Sequence, residues 1–282
     1  MEKPKLVFIH GMFCTSRVFD KLVQHFHSLG FECLAVTLPY HGAPIGATPH
    51  PKLGTTSLAD YVVFLQENLA QLGERYILVG HSMGGLLTMK MAALPEINPE
   101  MIVLLAPAPP AGVWALEWSV IRSFWGMLGK WNFWKNPGSL TFEQISWAML
   151  NQVPEQDRRA IYDILTYESG RAGFEMGFAL MLKEQPSAVD YAQIGCPVTI
   201  FVGTEDRTTP YKVVAQIVGN LRQARNPQAI VPPKSFKKLI RRNLPTEVEQ
   251  IKFIVKRGLG HWLVEELEPE EIASEILALL TK

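Results

Sequence analysis

Short apolar runs alternate along the chain with longer stretches in which apolar residues recur every three or four positions. Leu6 to Ile9 is a continuous apolar run stopped by His10-Gly11, which predicts a buried strand. From Arg17 to Leu29 the apolar positions are Val18, Leu22, Phe26 and Leu29, spaced as one face of a helix. Cys33 to Leu38 reads as the next strand, ended by Pro39. Leu58 to Leu72 carries Leu58, Val62, Leu65 and Leu69 on one helical stripe. Tyr76 to Val79 reads as a strand that leads into a helix at Met83 to Ala93, and Met101 to Leu105 as a further strand. Strands that are apolar throughout and separated by helices predict a mostly parallel sheet with helices on both faces, an α/β fold.

The rhythm breaks at Pro107-Ala108-Pro109-Pro110. From there to Tyr191 no run predicts a strand. The segment reads as helical and holds six of the seven tryptophans: Trp114, Trp118, Trp125, Trp131, Trp134 and Trp147. The strand pattern returns at Val198 to Val202, followed by a helix from Tyr211 to Leu221, a strand at Ile251 to Val255 and a helix from Glu270 to Leu280. The expected organisation is one α/β core, 1–106 with 192–282, carrying a helical lid insertion over 107–191. Core packing is expected for most of its aromatic residues, with part of that surface lining an apolar acyl pocket, because tryptophan is rarely buried completely. A second irregular stretch, Arg222 to Pro245, holds Arg222, Arg225, Lys234, Lys237, Lys238, Arg241 and Arg242 and no acidic residue. Its ordinary reading is a solvated loop or short helix. The alternatives are a site for an anionic substrate group, or a membrane-surface contact helped by Phe236, Leu239 and Ile240.

Composition narrows the field. The 282 residues carry a formal net charge of zero, so no nucleic-acid partner is expected. Cys14, Cys33 and Cys196 are too few and too scattered for a disulfide framework or a metal site, and are expected to be small buried apolar residues. The first apolar run is too short for a signal-peptide core, and no run approaches the ~18 apolar residues of a membrane span. A cytoplasmic protein is the expectation.

Candidate chemistry centres on Gly80-His81-Ser82-Met83-Gly84, a G-x-S-x-G pattern between a predicted strand and a predicted helix. A serine on that sharp turn stands clear of the backbone, and the glycines keep the space around it open. Its hydroxyl needs a base, and the base needs an orienting acid. Among seven histidines, His261 lies in Gly260-His261-Trp262 just after the last predicted strand, where open α/β sheets place their sites. Asp206, in Gly203-Thr204-Glu205-Asp206 after the strand at Val198 to Val202, is the expected acid, with Glu205 the neighbouring alternative. An oxyanion would be held by backbone N–H groups, assigned to Met83 at the start of the helix and Met12 in the loop after the first strand. Phe13 and Trp262, beside that loop and beside the base, are the expected substrate contacts. Such chemistry needs no metal or organic cofactor.

With His10-Gly11, Gly80 to Gly85, Gly203-Thr204-Glu205-Asp206 and Gly260-His261 in this order, the chain resembles an α/β-hydrolase-fold serine hydrolase over nearly its whole length. The resemblance implies a parallel sheet, a Ser-His-Asp triad and a helical lid after the strand ending near Leu105. Serine at position 82 argues against the dehalogenases of this fold, which use aspartate. Two departures accompany it. The chain starts at the family's third strand, and the 55 residues from Asp206 to His261 exceed the family's usual interval by about the length of the basic stretch. Hydrolysis of esters with a hydrophobic acyl group is the leading expectation. A C–C hydrolase or lyase, a thioesterase, and a non-catalytic hydrolase-like receptor are the alternatives.

Overall fold

The structure, a computed structural model, describes residues 3–70, 73, 75–242 and 245–280. The core strands are β1 (Lys5–Ile9), β2 (Cys33–Val36), β3 (Tyr76–His81), β4 (Met101–Leu105), β7 (Val198–Gly203) and β9 (Ile251–Lys256). With β8 (Glu247–Val248) they form a seven-stranded sheet in the order β2-β1-β3-β4-β7-β9-β8. Every pairing is parallel except β8 with β9, a hairpin edge that no periodicity marks. The runs that read as fully buried strands are so: each residue of β3, β4 and β7 is buried. β2 ends at Val36, two residues before the expected Leu38.

Helices flank this sheet. α1 (Asp20–Ser28) buries Leu22 and Phe26 and packs beside α10 (Leu263–Glu266) and α11 (Pro269–Leu280). α2 (Leu58–Leu69) begins at a reciprocal cap, in which the Ser57 hydroxyl accepts from the Asp60 N–H and the Asp60 carboxylate accepts from the Ser57 N–H. Its expected end at Leu72 lies outside the described residues. α3 (Met83–Ala92), buried on nearly every face, packs against α2 and β3. α8 (Tyr211–Arg225) follows β7 and runs four residues past the expected end.

Between β4 and β7 lie α4 (Trp118–Leu128), α5 (Phe142–Ala148), α6 (Glu155–Asp163) and α7 (Gly170–Gly177). Two-residue strands β5 (Pro137–Gly138) and β6 (Glu168–Ser169) pair antiparallel here, in a segment that reads as strandless. The expectation that most of its aromatic residues pack inward fails for the tryptophans: Trp114, Trp118, Trp125 and Trp131 are 56%, 74%, 66% and 86% exposed. Trp134 and Trp147 do pack on the core. Helical spacing alone cannot tell which face of a short helix meets the core.

The basic stretch divides in two. Arg222 and Arg225 end α8 and turn inward. The Arg222 guanidinium is buried and donates to the carbonyls of Ile230, Thr246 and Ile251. Arg225 donates to those of Ile194, Cys196 and Glu249. The remainder forms α9 (Phe236–Arg242), on which Leu239 is buried and Lys237, Lys238 and Ile240 are exposed. Residues 243–244 lie outside the described residues. All three cysteines are free; Cys14 is buried as expected, whereas Cys33 and Cys196 are only partly so. Among the described residues no helix is long and apolar enough to cross a membrane.

Candidate active site

Ser82 sits at the turn between β3 and α3 with φ 54° and ψ −119°, a conformation that costs an L residue energy and persists only where the surroundings enforce it. The neighbours explain the glycines. A Cβ at Gly84 would lie 2.0 Å from the Ile9 carbonyl oxygen, and one at Gly80 would lie 2.3 Å from the Thr88 hydroxyl. A Cβ at Gly11 would lie 2.8 Å from the Ser82 Cβ. Only glycine lets β1, the serine turn and α3 approach this closely.

Ser82, Asp206 and His261 come together at the carboxyl ends of β3, β7 and β9. The Ser82 hydroxyl lies 3.0 Å from His261 Nε2, and His261 Nδ1 lies 2.9 Å from Asp206 Oδ2. With Nδ1–H donating to the carboxylate, Nε2 is left as acceptor for the serine proton. All three are nearly closed to solvent, at 7%, 5% and 1% exposure. Burial opposes ionisation of Asp206. The adjacent His261 and hydrogen bonds from His261 and Thr209 outweigh it, holding the carboxyl below its ordinary range. Its Oδ1 accepts from the N–H groups of Thr208 and Thr209 at 2.8 and 2.7 Å, and its Oδ2 from the Thr209 hydroxyl at 2.9 Å. Glu205, the alternative acid, is exposed and accepts from Thr204 instead.

Sequence reasoning passed over Thr208 and Thr209. Their spacing after Asp206 is that of an aspartate folding back on its own backbone, a signal that was there to be read. His81 has a closer part than flanking suggests. It is buried, its Nε2–H donates to the His261 carbonyl at 2.9 Å, and its ring packs on those of His261 and Trp262 at 4.9 and 5.7 Å. Burial, then the neighbouring His261, pushes its pKa down to about 3, so it is neutral.

Of the expected oxyanion donors, Met12 follows Gly11, which abuts the Ser82 side chain, and Met83 follows Ser82 in the chain. Met83 opens α3, where backbone N–H groups have no helical partner. Among the described residues neither N–H donates to another protein group. The Met12 loop is pinned by its neighbours. His10 donates from Nδ1 to the Gly11 carbonyl and accepts at Nε2 from the Leu38 N–H. Phe13 adopts φ 62°. Phe13 and Trp262 are 0% and 1% exposed, so neither presents a surface to solvent.

The alpha/beta hydrolase family profile matches residues 6–275. The chain belongs to the alpha/beta hydrolase family. Solved structures share the fold. A methylesterase from Arabidopsis superposes with a TM-score of 0.66 at 17% identity, covering 99% of each chain. A monoacylglycerol lipase from Paleococcus ferrophilus gives 0.64 at 21% identity, covering 100% of this chain and 96% of its own. A pyrethroid hydrolase from Sphingobium faniae gives 0.60 at 14% identity, covering 98% and 96%. A Haemophilus influenzae protein with the provisional name esterase/lipase is 32% identical over 114 residues, or 40% of this chain and 38% of that protein. This family hosts many reactions on one fold, so the reaction has to be argued from the site.

Proposed function

We propose that the protein is a serine hydrolase of carboxylic esters, with Ser82 as nucleophile, His261 as general base and Asp206 as its orienting acid. The observation that carries the reading is the unbroken chain of hydrogen bonds from Ser82 through His261 to Asp206. The esterases and lipases among the structural neighbours agree with it. His261 takes the Ser82 proton as the oxygen attacks the acyl carbon, and Asp206 stabilises the imidazolium so formed. The oxyanion lies against the Met12 and Met83 N–H groups. His261 then returns the proton to the leaving alcohol. Water, deprotonated by the same histidine, releases the acid.

The near-complete burial of Ser82 and His261 supports 107–191 as a lid over a core of 1–106 and 192–282, which opens to admit substrate. Contact of substrate with Phe13 and Trp262 needs that opening. The exposed tryptophans favour a hydrophobic acyl group, and the free thiols suit a reducing cytoplasm. Anion binding by the basic stretch loses its two inward-facing arginines, which leaves the exposed Lys234, Lys237 and Lys238 for any contact with an anionic membrane surface. Flotation with anionic and neutral vesicles tests that contact.

Ser82→Ala tests the reaction. Turnover of p-nitrophenyl butyrate is expected to fall by at least ~10⁴-fold, and labelling by a fluorophosphonate to cease. Labelling at the wild-type rate would show that another residue is the nucleophile.

A further inference from the structure

A second buried cluster lies against the Met12 loop, and the triad does not use it. Glu168, in β6 of the inserted segment, is 0% exposed. Its carboxylate meets four donors, two on each oxygen. Oε1 accepts from the Tyr61 hydroxyl at 2.8 Å and the Ser169 N–H at 2.7 Å. Oε2 accepts from His41 Nε2 at 3.2 Å and from the Phe13 N–H at 3.3 Å. The other nitrogen of His41 lies 2.9 Å from the Pro39 carbonyl. Both ring nitrogens therefore face acceptors, which requires both to carry protons and makes His41 an imidazolium paired with an ionised Glu168. The pKa directions agree: against the pull of burial, the pairing raises His41 and lowers Glu168.

The bond to Phe13 gives the cluster its meaning. Phe13 holds a left-handed backbone, φ 62°, with a bulky side chain that does not favour it. Its N–H goes to Glu168, and its carbonyl accepts from the Thr166 N–H at 2.8 Å. Both backbone polar groups of this strained residue are thus tied to one short stretch of the insertion. The Phe13 N–H belongs to the peptide that begins at the Met12 carbonyl. Fixing that plane fixes the end of Met12, whose own N–H is left free to point at substrate. The same bond spends the Phe13 N–H, so Phe13 cannot itself be a donor to the oxyanion.

We propose that Glu168 is a positioning residue for oxyanion binding, which holds the strained Phe13 so that the Met12 N–H stays aimed at the developing charge. This rests on the ester-hydrolase reading above. It makes a residue of the insertion part of the catalytic geometry of the core.

The test compares full-length wild type with Glu168→Gln, Glu168→Asp, Tyr61→Phe and Ser82→Ala. Kinetics on p-nitrophenyl butyrate are measured beside inhibition by an alkyl trifluoromethyl ketone, whose adduct carries the same oxyanion. In Glu168→Gln one end of the carboxylate becomes an NH₂ group and cannot accept. We expect kcat to fall roughly 10- to 100-fold, KM to stay within about twofold, and ketone affinity to weaken by the factor lost from kcat. Glu168→Asp keeps the charge opposite His41 but withdraws it by one methylene. It carries the test if the glutamine variant does not fold, with a loss of the same kind. Tyr61→Phe removes a donor from the far oxygen. It should lower the melting temperature and leave kcat within about twofold. The proposal is overturned if the Glu168 variants keep wild-type kcat. It is equally overturned if kcat falls with ketone affinity unchanged, or if every variant loses activity in proportion to its stability. Turnover by Ser82→Ala would instead overturn the ester-hydrolase reading, whatever Glu168 does.

Discussion

Asn in place of Asp206 keeps the shape of the acid but presents an N–H₂ group or a neutral oxygen to His261. The imidazole then no longer keeps Nε2 free as acceptor. Turnover should drop by about 10⁴-fold with KM little changed, which steady-state kinetics would show. The histidines carry a second, pH-dependent role. Burial first, and then the neighbouring His41 and His261 respectively, press the pKa values of His10 and His81 to about 3. Between the ordinary 6.5 and that value the unfolded chain binds protons that the fold refuses. Stability therefore falls as pH drops below 6.5, by about 1.4 kcal/mol per pH unit for each group. His41 has the opposite sign. Its raised value means that its contribution is complete below 6.5 and fades as pH rises through the folded value. Asp206 and Glu168 act only lower, beneath their ordinary 3.8 and 4.5. The urea midpoint should thus be lower at pH 5 than at pH 7, and His81→Gln should show about half that decrease; an undiminished decrease would mean that His81 is not the group responsible. At this scale the sequence was informative wherever chemistry demands a fixed local pattern, as at Gly80 to Gly84. It was silent on Glu168, three of whose four partners are residues 13, 41 and 61, because contacts across such distances leave no trace in spacing.

Among the elements, α8 and α4 behave differently from what their composition suggests. Arg222 on α8 reads as part of a charged surface, yet its side chain is buried and donates to three backbone carbonyls. Arg222→Ala would remove these three bonds and the packing of a buried side chain, costing about 1–3 kcal/mol in chemical denaturation. Charge reversal at the exposed Lys237 should change stability by less than about 0.5 kcal/mol. A basic run looks the same in sequence whether its side chains meet water or carbonyls. The strands were legible because burial on both faces makes them apolar throughout, and β8 was not, being two residues at an edge. On α4, Trp118 and Trp125 are exposed, and their replacement by alanine should leave the melting temperature nearly unchanged. If the segment between β4 and β7 receives the acyl chain, as proposed, the same variants should reduce the preference for octanoyl over acetyl p-nitrophenyl esters by roughly tenfold. An unchanged ratio would remove the tryptophans from the acyl pocket.

For the molecule as a whole, the sheet joins strands made at very different times. β4 pairs with β7, Ile102 against Val198, across the whole segment that carries α4 to α7. Loop closure on this scale slows folding, because its entropy is lost before the pairing is gained. The order of the site residues follows the same axis: Ser82 stands 179 positions before His261, its proposed base. On a ribosome adding about 5–20 residues per second, Ser82 is made roughly 10–35 s before His261. A nascent chain halted between α3 and residue 261 would include β1, β3 and α3 with the glycines that let them approach, but would lack the base proposed for the serine. On the proposed triad, the chemistry is switched on near the end of synthesis, after the sheet that must carry it.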